Sequence, residues 1–426
     1  SSSFLGSNDP LFIVDGIPFD NTQRSSTNQL SGGGAYGTPI ANIDPNNIES
    51  ISVLKGAAAA ALYGSRAANG VVVIKTKTGS TRANRKGLEI GVFSSYSLEQ
   101  IAGLPEYQNT YGNGADFLQQ NSNGSWGPAF STLDSIPLWG PIATGFGLSG
   151  NVPYQAYPNN VSDLFENGHI YENGFTLSTG NESFSVSTAL SHLDQDGYIP
   201  FSHFERTSFS VGANANLDNG FTIGGNLNYT ISKTQGPFFG ENGAASPDAA
   251  SSFARTLWLG RAWDMSQPYE LPGGGSVIHN GANIDHPLWS WEHNGLDDQT
   301  NRIGASLQIG YNFTDWLRVN YTLGSNQYTT RRQLIWDQGS VGYSGAGAVI
   351  DDDFSWEELE SNLILSATKN INPDFEISAL VGNNINQRTL DQQLVLGTNN
   401  LAPGIFDIEN TNSLVPNGGI YSQRRL

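Results

Sequence analysis

The chain has 426 residues, 38% of them hydrophobic and 11% aromatic, with 50 glycines. That balance is low in apolar residues for a large α/β enzyme and suits many strands and turns. A formal charge of −19 excludes nucleic acid as a partner, since phosphates would be repelled, and leaves a neutral or cationic ligand or a cation-bridged lipopolysaccharide surface. The sequence has no cysteine, which rules out disulfides and thiolate metal sites within it.

No apolar run reaches the ~18 residues of a membrane-spanning helix. Ser1–Leu5 has neither the basic start nor the apolar run of a signal peptide. Barrel strands give a weaker signal, so a membrane stays open. Leu11 to Val14 reads as a strand closed by the turn pair Asp15-Gly16. Residues 21–42 read as a loop. Within it Gly32 to Gly37 matches G-x-G-x-x-G, but Thr38-Pro39 follows and no helix opens, so the context for a dinucleotide is missing. Ile48 to Gly79 reads as strand, helix, strand. Ile51 and Val53 alternate with Ser52, Lys55 to Leu62 is alanine-rich and predicts a helix, Gly64 suits its cap, and Val71 to Ile74 is a β-branched run.

From Gly87 the pattern has period two. Phe209, Val211, Ala213, Ala215 and Leu217 oppose Ser208, Ser210, Gly212, Asn214 and Asn216. Ile303, Ala305, Leu307, Ile309 and Tyr311 oppose Ser306, Gln308 and Asn312. About nine such strands are predicted. Their polar sides carry Asn, Ser, Thr and Gly with few charges, which suits a wet lumen better than an outer surface in water. Short turns near 181–182, 218–220, 313–315 and 372–374 alternate with long loops at about 99–170, 234–300, 331–354 and 388–426. That alternation is the pattern of an up-and-down outer-membrane barrel. Aromatics near strand ends, such as Phe184, Tyr311, Trp316 and Phe375, suit an interfacial girdle; a soluble sandwich would use the same residues as core.

The wording of the first part is more specific than its pattern. Asp15-Gly16-Ile17-Pro18, Ile43-Asp44-Pro45-Asn46-Asn47-Ile48-Glu49-Ser50-Ile51, Val53-Leu54-Lys55 and Ala61 to Val71 closely resemble the plug of the SusC-like (RagA/SusC) TonB-dependent outer-membrane transporters. That family usually has an acidic residue where Asn47 stands. The resemblance covers roughly residues 9–390. It implies an all-β membrane barrel, antiparallel and incomplete in this chain, with a small α+β plug. Residues 1–82 would be the C-terminal half of the plug and 83–426 the first part of the barrel, an internal piece of a longer transporter. The plug signature would be Asp15, Gly16, Pro18, Glu49, Lys55, Gly64, Arg66, Asn69 and Gly70. Arg66 is expected to pair with Glu49 or with a carboxylate of the barrel wall. The resemblance also implies import of an oligosaccharide or peptide nutrient across a Gram-negative outer membrane. The partners would be a SusD-like surface lipoprotein lid, TonB with its energising complex, and membrane lipid.

Catalytic motifs are absent: the sequence has no H-E-x-x-H, no G-x-S-x-G and no cysteine nucleophile. His286 and His293 with Asp285 or Glu292 suggest a metal set, although solvated loop histidines are the plainer reading. Asp351-Asp352-Asp353 suggests calcium in an extracellular loop or an acidic loop tip. Glu357, Glu358 and Glu360 could suggest a glycosidase pair, but their sequence spacing says nothing about separation across a sugar, and the reading is discounted. No cofactor is expected. Tyr36 in the plug loop and Trp126, Trp139, Trp258, Trp263, Trp289 and Trp291 in the long loops are candidates to face ligand, since aromatics carry much of the energy at binding sites. Loop packing is the competing use. Two other classes fit less of the chain: a secreted carbohydrate-active β-protein, and an outer-membrane secretion or structural component that retains the transporter fold.

Overall fold

The computed structural model describes residues 9–22, 37–55, 64–77, 87–120, 124–237, 256–257, 259–277, 285–372 and 375–425. Two sheets account for most of them. The first contains β1 (Leu11–Val14), β2 (Ile17–Phe19), β3 (Ile48–Leu54) and β4 (Val71–Thr76), in the order β2-β1-β4-β3. β1 runs parallel to β4, and the other two pairs are antiparallel. Asp15 and Gly16 both have positive φ, 51° and 87°, as a two-residue hairpin turn of primed type requires. The Asp15 carboxylate accepts from Thr76 N at 2.8 Å and Thr76 Oγ1 at 2.7 Å, tying that turn to the end of β4. Ile13, Ala67 and Val71 form a small core. Pro18 sits on β2, an end strand, where a missing N–H costs nothing. Gly64 opens a 3₁₀ turn, Gly64–Ala67, followed by Asn69 and by Gly70 at φ 97°. Most of the helix expected over Lys55 to Leu62 lies outside the described residues; Lys55 itself is an exposed residue at the end of β3.

β5 (Leu88–Glu99) starts the second sheet. Two small hairpins follow, β6–β7 (Gly114–Ala115 and Leu118–Gln119) and β8–β9 (Ser135–Pro137 and Asn151–Pro153), with α1 (Gly140–Phe146) inside the latter. The sheet resumes with β10 (Gly168–Gly180), β11 (Phe184–Asp196), β12 (His203–Asn216) and β13 (Phe221–Gly236). After α2 (Pro287–His293) come β14 (Gly295–Thr314), β15 (Leu317–Trp336), β16 (Ala348–Asn372), β17 (Phe375–Asn400) and β18 (Thr411–Arg425). Every neighbouring pair is antiparallel, and the order is linear from β5 to β18, so the sheet has ten strands. The tenth, β18, was expected to be loop. Pro416 and the pair Gly418-Gly419 disguise it, and its end position in this sheet tolerates the proline. β14 to β17 have 20, 20, 25 and 26 residues, about twice the 9–11 that cross a bilayer. In these extensions polar residues such as Asp351 to Asp353 sit beside apolar runs such as Leu334 to Trp336, so the alternation fades, and the loops are shorter than the 331–354 and 388–426 expected.

The faces of this sheet are inverted relative to a soluble sandwich. Leu307 is 42% exposed while Ser306 beside it is 7% exposed. Ile303, Leu323, Leu363 and Leu365 share the exposed side; Ser208, Ser210, Thr230, Ser232, Asn326 and Thr330 are buried on the other. The buried polar face is covered by the small sheet. Two apolar clusters interrupt it: Tyr328, Phe354 and Trp356, packed with Leu390, and, nearer the strand ends, Leu334, Trp336 and Ala348. Among the described residues no helix is long and apolar enough to cross a membrane; an antiparallel sheet with an apolar outside crosses by its strands.

Candidate functional site: the plug seam and the outer loops

The seam between the two sheets is polar and draws on six consecutive wall strands, β11 to β16. Arg66 Nη1 lies 2.7 Å from Glu358 Oε1 on β16, and Glu358 is completely buried. Asn386 Nδ2 on β17 also donates to that oxygen at 2.8 Å and to Glu360 at 2.7 Å. Of the two partners expected for Arg66, the wall carboxylate is therefore the one used; Glu49 pairs with Lys75 at 3.1 Å on the exposed side. Arg206 on β12 donates to the carbonyls of Ala41 and Ile43 at 2.9 and 3.2 Å and to Glu172 at 3.1 Å. Ser191 donates to Asp44 at 2.7 Å, Ser232 to Asn42 at 2.6 Å and Asn47 to Asn228 at 3.0 Å. Asn47 thus makes an amide–amide bond where the resembling family usually carries an acid.

At the end of β2 the guanidinium of Arg302 lies over Phe19 at 4.0 Å and over Tyr328 at 4.3 Å. It also donates to the Asp20 carbonyl, and Tyr328 donates to the Asp20 carboxylate. Gly324 faces Ile17 so closely that any Cβ there would run into the isoleucine side chain. Each neutral bond of this kind is worth about 1 kcal/mol net, so the seam is firm in sum yet divisible into small steps. The wall arginines Arg206, Arg302 and Arg332 went unnoticed in the sequence; for Arg206 the available signal is a single arginine on the strand face that carries Ser208, Ser210, Gly212 and Asn214.

The segments before β10, between β11 and β12 and between β13 and β14 form their own core from Val161, Leu164, Ile199, Leu259, Trp263, Met265 and Trp291. Trp289 is fully buried, stacks on His293 at 4.5 Å and donates to the Gly274 carbonyl. Trp289 and Trp291 are thus spent on packing. Trp126 is 70% exposed. Trp139 and Trp263 meet edge-on with centroids 4.4 Å apart and line a cavity of about 330 Å³ with Asp264, Gln267, Asn113 and Ile142. Burial pushes the Asp264 carboxyl up, but donors from Ser266 and Gln267 outweigh it and hold the group below its ordinary value. Tyr36 and Trp258 lie outside the described residues.

The suggested metal sets do not assemble. Asp351-Asp352-Asp353 lies on β16 rather than at a loop tip, so successive side chains point to opposite faces. Asp352 faces in, 3.8 Å from Arg332, while Asp351 accepts from Gln333 on the outer side. Glu358 and Glu360 face the seam, and Glu357 accepts from Gln327 on the opposite side. His286 and His293 stand at opposite ends of α2. His286 Nδ1 accepts from Leu288 N at 3.2 Å as a helix cap, and His293 meets Asp337 at 3.0 Å.

Burial pushes the His286 imidazole down to about 3 and the neighbouring Asp285 carboxyl up to about 6. An unfolded histidine binds its proton near pH 6.5, so the folded loops lose stability as pH falls from there toward 3. Asp285 acts in the other direction over the narrower range from about 4 to about 6, because folding favours its protonated form. The net expectation is a loss of about 2 kcal/mol between pH 7 and 3. His286→Asn keeps a capping side chain and removes the acid-sensitive proton site. Tryptophan emission during acid titration should then show the loop transition at lower pH; an unchanged midpoint would contradict the assignment.

A small mixed sheet seated on the polar face of an antiparallel sheet whose other face is apolar is the architecture of a plugged outer-membrane barrel. Comparison with known proteins points the same way. Residues 3–71 match the family model "TonB-dependent Receptor Plug Domain". The TonB-dependent receptor SusC of Bacteroides thetaiotaomicron is 26% identical over 311 residues, 72% of this chain and 26% of that protein. The TonB-dependent receptor P26 of Formosa agariphila is 26% identical over 246 residues, 57% of this chain and 21% of that one. The chain therefore spans about a quarter or less of these relatives. The RagAB peptide importer shares the fold with TM-score 0.68 in its open-open state and 0.66 in its closed-closed state, at 18% and 16% identity. These matches cover 97% and 98% of this chain and 45% and 46% of the other. The chain is thus similar to part of the SusC-like TonB-dependent transporters, with the match to the plug family at residues 3–71. TonB-dependent receptors are outer-membrane proteins of Gram-negative bacteria, a transporter class and not an enzyme class.

Proposed function

We propose that the whole protein imports an oligosaccharide or peptide nutrient across the outer membrane, with residues 1–82 as plug and 83–426 as barrel wall and extracellular loops. The observation that carries this reading is the seam: wall strands from β11 to β16 bond the plug through exchangeable polar contacts. A wide barrel leaves a lumen that must be blocked, and a blockage of many weak bonds can be opened by a directed pull. TonB, energised from the inner membrane, supplies that pull, and a SusD-like lipoprotein covers the loops as a lid. Ligand captured between lid and plug is released inward when the plug moves; no covalent bond is made or broken. The RagAB neighbour, described as a peptide importer, is in keeping with a peptide cargo.

The test uses the absence of cysteine in this sequence. Asn42→Cys on the plug and Ser232→Cys on the wall replace partners 2.6 Å apart. A short reducible thiol cross-linker joining them in the full-length protein should abolish uptake, and a reductant should restore it. Unimpaired uptake by cross-linked protein would refute gating by plug movement.

A further inference from the structure

The cavity of about 330 Å³ in the outer loops is not part of the plug seam. It is large enough for a ligand site by the usual scale of 300–1,000 Å³. Its floor is buried: Asn113, Ile142 and Trp263 are each 5% exposed or less. Two loops distant in sequence build it, one carrying α1 after Trp139 and one carrying Trp263 to Gln267. The indoles of Trp139 and Trp263 stand at 67° to each other and so make an aromatic corner. Among the described residues that line the cavity, Asp264 is the single charged one, and no lysine, arginine or histidine joins it. Its carboxylate already accepts from Ser266 N at 3.1 Å, Ser266 Oγ at 2.6 Å and Gln267 Nε2 at 3.0 Å. These donors fix its orientation and leave part of its acceptor capacity open, since a carboxylate offers about four sites. A cation beside an indole face and a fixed carboxylate gains from both. An anion meets the carboxylate with no compensating charge, and the chain's formal charge of −19 adds to the repulsion.

We infer that this loop cavity is a binding subsite for a basic side chain, lysine or arginine, of a peptide ligand. The inference deepens the import reading by naming a cargo chemistry, and it rests on that reading only for its purpose. Asp264 takes the charged head, the Trp139–Trp263 corner covers the flat or aliphatic part, and Gln267 lies at the same wall.

The test measures binding alone, in the full-length detergent-solubilised protein without TonB, by tryptophan quenching and calorimetry. The probes are Gly-Arg-Gly, Gly-Gln-Gly, Gly-Glu-Gly and glucosamine. Gly-Arg-Gly should bind at least about tenfold more tightly than Gly-Gln-Gly, the size of a lost charge-assisted contact, and Gly-Glu-Gly should bind least. Asp264→Asn should remove the preference for arginine over glutamine. Equal binding of the arginine and glutamine peptides, or no binding by either, would overturn the inference, as would glucosamine binding more tightly than Gly-Arg-Gly. The wild-type ranking decides the matter even where the variant misfolds. A failure here leaves the cross-linking result on plug movement untouched, so the two readings fail separately.

Discussion

Gly324→Leu should unseat the plug. Gly324 lies on the inner face of β15, and the space its side chain would need is filled by Ile17 of the plug, itself only 5% exposed. Overpacking by added methylenes commonly costs 1–3 kcal/mol. Here the whole leucine must displace a residue held between β1 and β15, so a cost of about 3 kcal/mol is expected at the upper end of that range. That corresponds to roughly a hundredfold rise in the unseated fraction. Cells carrying the variant should become sensitive to a bulky antibiotic that the closed lumen excludes. Adding Ile17→Ala removes the atoms in the way and should restore resistance in large part. Sensitivity that persists in the double variant would place the defect elsewhere.

The second large effect belongs to Arg66 and Glu358. Arg66→Ala leaves a completely buried carboxylate without its cation, with only Asn386 still donating to it. Removing one partner of a buried pair costs about 3–5 kcal/mol. The Arg66 side chain keeps 20% exposure, so the lower end applies. Glu358→Gln should cost less, because the amide oxygen can still accept from Asn386 and the remaining guanidinium reaches solvent. Hydrogen exchange across residues 64–76 should therefore accelerate more in Arg66→Ala than in Glu358→Gln. Equal protection in both variants and the parent would mean that the pair does not hold the plug.

Much of this arrangement is legible in the sequence, for identifiable reasons. Asp15-Gly16 announces its turn because both residues need positive φ. The alternation Ser306, Leu307, Gln308, Ile309 announces a strand with one wet and one apolar face. It cannot say which face is inside; the neutral character of the polar side decides that. Legibility fails where strands outrun the bilayer. Asp351 to Asp353 look like a loop tip because neither face is apolar there, although they sit in β16. It fails again for contacts distant in sequence. Nothing near Arg66 points to Glu358, 292 positions away, and nothing near Trp139 points to Trp263. Trp289 and Trp291 look like ligand-facing aromatics until the loop core that buries them is assembled.

The orientation of the wall is the claim on which all the rest stands, and spin labels on β14 test it directly. Single cysteines at Leu307 and Gln308 of the full-length protein in lipid bilayers would carry the label. Its relaxation would be compared with oxygen, which concentrates in lipid, and with a water-soluble nickel chelate. Outward Leu307 and inward Gln308 predict oxygen dominance at 307 and a marked fall in it at 308. A label at Leu307 shielded from both agents, as in a dry interior between two packed sheets, would contradict the barrel and the transport built on it.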